Sequence, residues 1–194
     1  RHVRRRAREG TGRDLPEGMT PLDAGLAGEF VVPTPVTQDA RRAAIVSFDV
    51  TSDGFRAVPR THLNLISGGL AVFLESGMPQ GATIMSALVP SSFASVASSL
   101  VTWLLSGGVL ALHHPFDNAV LERGIAANAC DVLVAPAPLA QRLAEGGLFD
   151  RSPVLRYVLG LWRAPEQVAA SPAWPRSQAS FTDVYLFGEA GLFG

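Results

Sequence analysis

The sequence predicts an α/β domain: a mostly parallel sheet flanked by helices. Three observations carry that prediction. Short runs rich in Val, Ile and Leu alternate with helix-forming stretches of roughly 10–15 residues, which is the pattern of βαβ units. The clearest of these runs, Asp131 to Ala135, is continuously apolar rather than alternating, as in a strand covered on both faces. Hydrophobic residues make up 47% of the chain and charged residues only 17%, a balance that favours a buried core over disorder.

The elements follow in order. Residues 1–42 are polar and rich in Arg, Gly and Pro, and read as an N-terminal segment or linker. Arg4, Arg5, Arg6 and Arg8 within it can bind an anion or lie solvated, and Phe30-Val31-Val32 can form one short strand. From Ala43 the pattern becomes regular. Ala44 to Phe48 reads as a strand, followed by a loop over 51–60. Thr61 can cap a helix from His62 to Ser76, with Gly77 as its stop. Gly68 and Gly69 weaken that helix and permit a close neighbour. Thr83 to Val89 is a strand, and Ser91 or Ser92 caps a helix to Leu105. Gly107-Gly108 turns into a strand over Val109 to Leu112, and Asp117 caps a helix to about Asn128. After the 131–135 strand, Pro138 sits in the first turn of a helix that stops at Gly146-Gly147. Leu155 to Leu159 is a strand, Pro165 to Ala170 a short helix, and Val184 to Phe187 a last strand.

Composition excludes several classes. The net charge of −1 offers no global attraction to nucleic acid or a membrane surface. All 16 basic residues are arginine, so no ε-amino group is available for Schiff-base chemistry. The single cysteine, Cys130, forms no internal disulfide framework and reads as a core residue of a cytoplasmic protein. No apolar run is long enough to span a membrane, and the basic start has no apolar stretch behind it. The first residue is not Met and the last ones are apolar, so the chain reads as a segment of a longer protein.

In parallel sheets ligands bind beyond the carboxyl ends of the strands. The loops at 51–60, 90–92, 113–117, 135–138, 160–166 and 187–191 are therefore the candidate site. In the first, Thr51, Ser52 and Gly54 offer hydroxyls and free backbone, and Arg56 offers a cation, the parts of a phosphate loop. Asp53 opposes an anion there, and an ordinary polar strand-to-helix loop has the same composition. Trp162 can stack on a base or pack in the core. Glu189, on a turn after a strand, can hold Mg²⁺ or lie solvated. His113-His114 lacks zinc-helix spacing, and one of the pair is expected to point inward. Neither a Gly-x-Ser-x-Gly elbow nor a Gly-x-Gly-x-x-Gly fingerprint occurs.

From about residue 45 onward the chain resembles the adenylate-forming (AMP-binding) superfamily, acyl-CoA synthetase-like, in a divergent and partial form. That family carries a Thr/Ser/Gly-rich loop, Pro-Lys-Gly-Val, two variable residues and Thr-His-x-Asn-Leu. Thr51-Ser52, Val58 and Thr61-His62-Leu63-Asn64-Leu65 match, the loop is about three residues short, and Arg56 falls nearest the lysine position. The order and spacing of Pro90, Gly107-Gly108, His114-Pro115-Phe116-Asp117 and Asp131 to Pro136 also match. The family's usual histidine or aromatic after the Pro90 strand is replaced by Ser91, Ser92 and Phe93. Gly160 to Pro165 stands at the family's Gly-Gly-Ala-Pro turn, with Trp162 and Arg163 added, and Phe187-Gly188-Glu189 at its aromatic-Gly-x-Thr-Glu turn, without the Thr.

The resemblance implies that residues 43–194 are part of an AMP-binding N-terminal domain, with the C-terminal lid domain absent. It implies a ligase that activates a carboxylic acid with ATP to acyl-AMP and passes the acyl group to CoA or a carrier-protein thiol. Arg56 and Glu189 take the catalytic roles, Glu189 as a ligand of Mg²⁺. Thr51, Ser52, Gly54, Gly160, Ala164, Pro165, Phe187 and Gly188 line the nucleotide site. The alternative is a non-catalytic degenerate domain that keeps the fold as a binding or assembly module. Without the lid, this segment is expected to have no ligase activity on its own.

Overall fold

The computed structural model describes residues 39–163, 174, 179–187 and 191–193. The expected strand at Phe30-Val31-Val32 and the expected helix at Pro165 to Ala170 lie outside these residues. The described residues open with a hairpin, β1 (Ala43–Thr51) and β2 (Gly54–Thr61), and continue into helix α1 (His62–Ser76). Strand β3 (Thr83–Ser86) leads to a helix α2 over 93–106, whose middle, Val96–Val101, is π-helical. There follow β4 (Val109–Leu112), α3 (Asn118–Asn128), β5 (Val132–Pro136), α4 (Ala137–Glu145) and α5 (Leu148–Arg151). The sheet is completed by β6 (Tyr157–Trp162), β7 (Ser180–Phe187) and β8 (Gly191–Phe193).

The six-stranded sheet has the order β4-β3-β5-β6-β7-β8. All pairs from β4 to β7 are parallel, and β8 closes the edge antiparallel to β7. The α/β expectation, with a parallel sheet between helices, is therefore what the chain adopts. Two buried clusters sit on opposite faces of the sheet. One unites Leu121 and Ile125 of α3, Ala140 and Leu143 of α4 and Leu148 of α5 with Met85, Leu133 and Val158. The other unites Val72 of α1 and Ala94 of α2 with Ile84, Val132, Val134, Leu159 and Val184. Successive residues of β5, Val132 to Ala135, feed the two faces alternately and are all fully buried, which is why that strand is apolar throughout.

Local signals explain the helix boundaries. The Thr61 hydroxyl accepts from the Asn64 amide at 3.1 Å, and Asn64 Oδ1 accepts from the Thr61 amide at 3.3 Å, a reciprocal capping box. Gly77 ends α1 in the left-handed region at φ 61°. Ser92 caps α2 and Asp117 caps α3, each through its side chain. Gly69 is where α1 meets α2: a Cβ there would fall 2.6 Å from Val101 Cβ.

Several boundaries differ from the sequence reading. Residues 55–60 are not loop but most of β2, which pairs with β1 from Thr51↔Gly54 to Ala43↔Thr61. Pro59 is tolerated within β2 because that strand has a partner on one side only. Strand β3 stops at Ser86 rather than Val89, β6 spans Tyr157–Trp162 rather than Leu155 to Leu159, and β7 begins at Ser180 rather than Val184. The short α5 and β8 had no sequence signal of their own.

Candidate functional site

The strand order places a switch point between β3 and β5. From β3 the chain leaves through α2 on one face toward β4; from β5 it leaves through α4 on the other face toward β6. Such a divergence opens a crevice at the strands' carboxyl ends. A cavity of about 280 Å³ lies there. Ala87, Leu88 and Val89 after β3, Pro136 and Pro138 at the end of β5, Leu161 and Arg163 of the β6 end, and Leu186 of β7 form its walls, with Ser92 and Ala94 of the α2 start. Three of the loops singled out in the sequence, 90–92, 135–138 and 160–166, thus meet at one place.

The cavity is apolar except at two points. Arg163 is exposed and supplies a permanent cation. The Ser92 hydroxyl donates to the Val89 carbonyl at 2.8 Å and accepts from the Ser95 amide at 3.1 Å, so it serves the helix cap first. Behind the wall, the buried Ser99 hydroxyl donates to Ser86 Oγ at 2.8 Å and ties the π-helical stretch of α2 to the end of β3. Beside it, Phe93 is buried and carries the Arg60 guanidinium 3.6 Å over its ring. The base of the hairpin is thereby joined to the residue between two cavity-lining positions.

The other predicted residues divide into three groups. Thr51, Ser52, Gly54 and Arg56 lie on the hairpin, around a two-residue turn of Ser52 and Asp53. There the Thr51 hydroxyl donates to the Gly54 carbonyl at 2.9 Å and the Ser52 hydroxyl to Asp53 Oδ1 at 3.2 Å. Arg56 stands opposite Asp49 and pairs with it at 3.7 Å, with 64% of its side chain exposed. Gly160 belongs to the second group: it is inside β6, and a Cβ there would fall 2.7 Å from Phe181 Cε2. The glycine makes room for a ring. Phe187 ends β7 and is 48% exposed. Ala164, Pro165, Gly188 and Glu189 form the third group and lie outside the described residues.

Three further expectations are met. Trp162 is buried, and its indole N–H donates to Asp183 Oδ1 at 2.6 Å, so it packs rather than faces the cavity. His113 points inward, accepting the Asp117 amide at 3.0 Å through Nε2, while His114 is exposed. Cys130 is buried, and burial first, then the Asp131 charge, pushes its thiol up to about 11. Among the described residues no group of three or more His, Cys, Asp or Glu is placed to hold a metal ion. Nor is any helix among them long and apolar enough to cross a membrane. The cavity itself was missed as a unit in the sequence, because strand order is needed to bring β3, β5 and β6 together.

No family model matches the sequence, and no curated protein matches it either. Solved structures do. The Klebsiella oxytoca NpsA N-terminal subdomain superposes with a TM-score of 0.64 at 18% identity, covering 79% of this chain and 40% of that one. A fatty acyl-adenylate ligase from L. pneumophila, in complex with acyl adenylate and pyrophosphate, gives 0.59 at 14% identity over 78% of this chain and 30% of its own. The o-succinylbenzoate CoA synthetase MenE from Bacillus subtilis, in complex with its acyl-adenylate intermediate, gives 0.54 at 16% over 64% and 25%. The chain spans less than half the length of each. With its parallel sheet between two helix layers, the chain has the fold of part of the N-terminal subdomain of adenylate-forming enzymes.

Proposed function

We propose that this chain is part of a divergent acyl-CoA synthetase-like ligase and that its cavity takes one end of an acyl adenylate. The observation that carries this reading is the position of the cavity, at the carboxyl ends of β3, β5, β6 and β7 beside the switch point. At about 280 Å³ it lies at the lower end of small-molecule sites. That volume suits a single ring or short acyl group rather than a whole acyl adenylate. The apolar walls favour such a group, and Arg163 at the wall favours a carboxylate or phosphate beside it. The structural neighbours with acyl adenylates bound support the ligand class.

ATP, Mg²⁺ and CoA fit unequally. For the triphosphate, the hairpin offers a poor cradle: its turn has two residues, both hydroxyls are spent within it, and Asp53 adds a repelling carboxylate. Arg56 provides the cation nearest the turn and shares it with Asp49, while Arg60 at the foot lies over Phe93. For Mg²⁺ the one candidate ligand, Glu189, lies outside the described residues. Nothing among the described residues singles out a CoA or carrier-protein thiol. In an adenylating enzyme ATP supplies the AMP group; this chain's own contribution is to hold and orient the acid and exclude water from it. The tight turn favours the second reading, a non-catalytic domain that binds or assembles and no longer adenylates.

A calorimetric titration with a non-hydrolysable benzoyl-adenylate analogue tests the first part. Saturable binding that Val89→Trp abolishes is expected, since Val89 is a cavity wall and is 48% exposed, so the change is tolerated by the fold. Binding unaffected by Val89→Trp would place the ligand elsewhere. Carboxylate-dependent exchange of labelled pyrophosphate into ATP separates the two readings: none is expected from this chain, and exchange above background would exclude the non-catalytic one.

A further inference from the structure

The cavity at the carboxyl ends of β3, β5 and β6 has one charged residue among its described walls, Arg163, and no carboxylate. Its guanidinium makes no ion pair among the described residues, where the pairs are Arg56 with Asp49 and Arg151 with Glu122. Asp183 on β7 offers the cavity no counter-charge. It alternates to the face opposite Val184 and Leu186, and there it accepts the Trp162 indole N–H at 2.6 Å. Leu88, Val89, Leu161 and Leu186 complete apolar surroundings. Alone, the exposed guanidinium keeps its water. A ligand that fills the cavity strips water from the side facing it, and that side then needs an acceptor, best an anionic one. A cationic group there would meet a like charge with no carboxylate to offset it.

Two groups of an acyl adenylate can supply that anion: the phosphate, or a second carboxylate on the acid. Strand order separates them. The hairpin, on which the phosphate-loop resemblance falls, reaches the cavity at Phe93, between Ser92 and Ala94 of the α2 start, which follows β3. Arg163 follows β6, two strand spacings from β3 in the order β3-β5-β6, or roughly 10 Å away. We propose that Arg163 is a specificity-determining residue and that the acid this cavity takes is a one-ring dicarboxylic acid. One carboxyl is joined to the adenylate, and the second, on the far side of the ring, pairs with the guanidinium. An arginine fork holds such a carboxylate through two parallel N–H bonds, which fixes the ring as well as its charge. This inference rests on the reading that the cavity holds the acyl end of an adenylate.

The test titrates the full 194-residue chain with non-hydrolysable adenylate analogues of benzoic acid, of its meta- and para-carboxy derivatives and of meta-(aminomethyl)benzoic acid. The better carboxy analogue should bind about tenfold tighter than the benzoyl one, and the aminomethyl analogue about tenfold weaker. Arg163→Gln should bring these ratios close to unity, and Arg163→Glu should invert them. The position is exposed, so the fold tolerates both changes. Carboxy analogues no tighter than the benzoyl one would overturn the proposal, as would a preference that survives Arg163→Gln. If Arg163→Gln weakens every analogue by one common factor and leaves the ratios intact, the guanidinium serves the phosphate and the proposal fails. The cavity reading survives each of these outcomes so long as Val89→Trp abolishes benzoyl-adenylate binding. Absence of binding by every analogue removes that reading and the proposal together.

Discussion

The β5–β6 centre of the sheet and the β1–β2 hairpin are built from the same kinds of residue and meet opposite fates. In β5, Val132, Leu133, Val134 and Ala135 are fully buried between two helix layers. On the hairpin, Val46, Phe48, Val50 and Phe55 share one face, and their exposure runs from 53 to 81%. The cavity grows out of the first region and the phosphate-loop resemblance falls on the second. A site walled by a closed core is held in shape by packing. A hairpin with one bare apolar face is held, among the described residues, by its ladder, a tight turn and its foot, where Arg60 meets Phe93 and Ala44 and Ile45 pack against Leu65, Phe93 and Val101. On the proposed reading, the cavity that would hold the acid is preformed in this chain, whereas the hairpin turn offers no preformed phosphate cradle.

Substitutions on the two sides should separate accordingly. Leu133→Ala removes a fully buried side chain between the layers, and urea unfolding should show a loss of about 2–5 kcal/mol. Gly160→Ala forces the Phe181 ring to move and should cost about 1–3 kcal/mol; a neutral result would mean the ring has room after all. Thr61→Ala removes the hydroxyl that accepts the Asn64 amide where the hairpin enters α1, while the residue 61 amide keeps its bond to Asn64 Oδ1, and a loss of about 1 kcal/mol is expected. Phe48→Ser, on the bare face, should change stability by less than about 0.5 kcal/mol in this chain. A cost near that of Leu133→Ala would show that the hairpin face is covered in solution and would break the comparison.

Cys130 sharpens the same contrast through pH. Its folded-state thiol titrates at about 11 against a reference of 9.0. The unfolded chain loses this proton first, so the contribution is complete below pH 9 and is lost as pH rises from 9 through 11. Cys130→Ala should flatten the fall in stability over that window, and the native thiol should resist alkylation at pH 8 until the domain unfolds.

Much of this was legible in the sequence for physical reasons. Thr61, Gly77, Ser92 and Asp117 marked helix ends because their side chains or left-handed backbone do the capping locally. The apolar run of β5 announced a strand buried on both faces. Strand β2 was hidden because Thr51 to Gly54 and Pro59 are turn and breaker residues, and only pairing with β1 makes 55–60 extended. Gly160 read as part of a ligand turn because a glycine gives no hint, by itself, whether a ring or a nucleotide needs its space. The cavity was invisible as a whole, since Leu88, Pro136, Leu161 and Leu186 are ordinary apolar residues until the sheet order joins them.

The central claim is that the acid-binding end of the site survives while the phosphate cradle does not. Its most direct test is a parallel titration of the chain with AMP, with ATP and Mg²⁺, and with the benzoyl-adenylate analogue. The account predicts that the analogue binds more tightly than AMP and that ATP with Mg²⁺ gains nothing over AMP. ATP binding at least about tenfold tighter than AMP, a gain of roughly 1.4 kcal/mol from the added phosphates, would show that the hairpin holds them and would contradict the account.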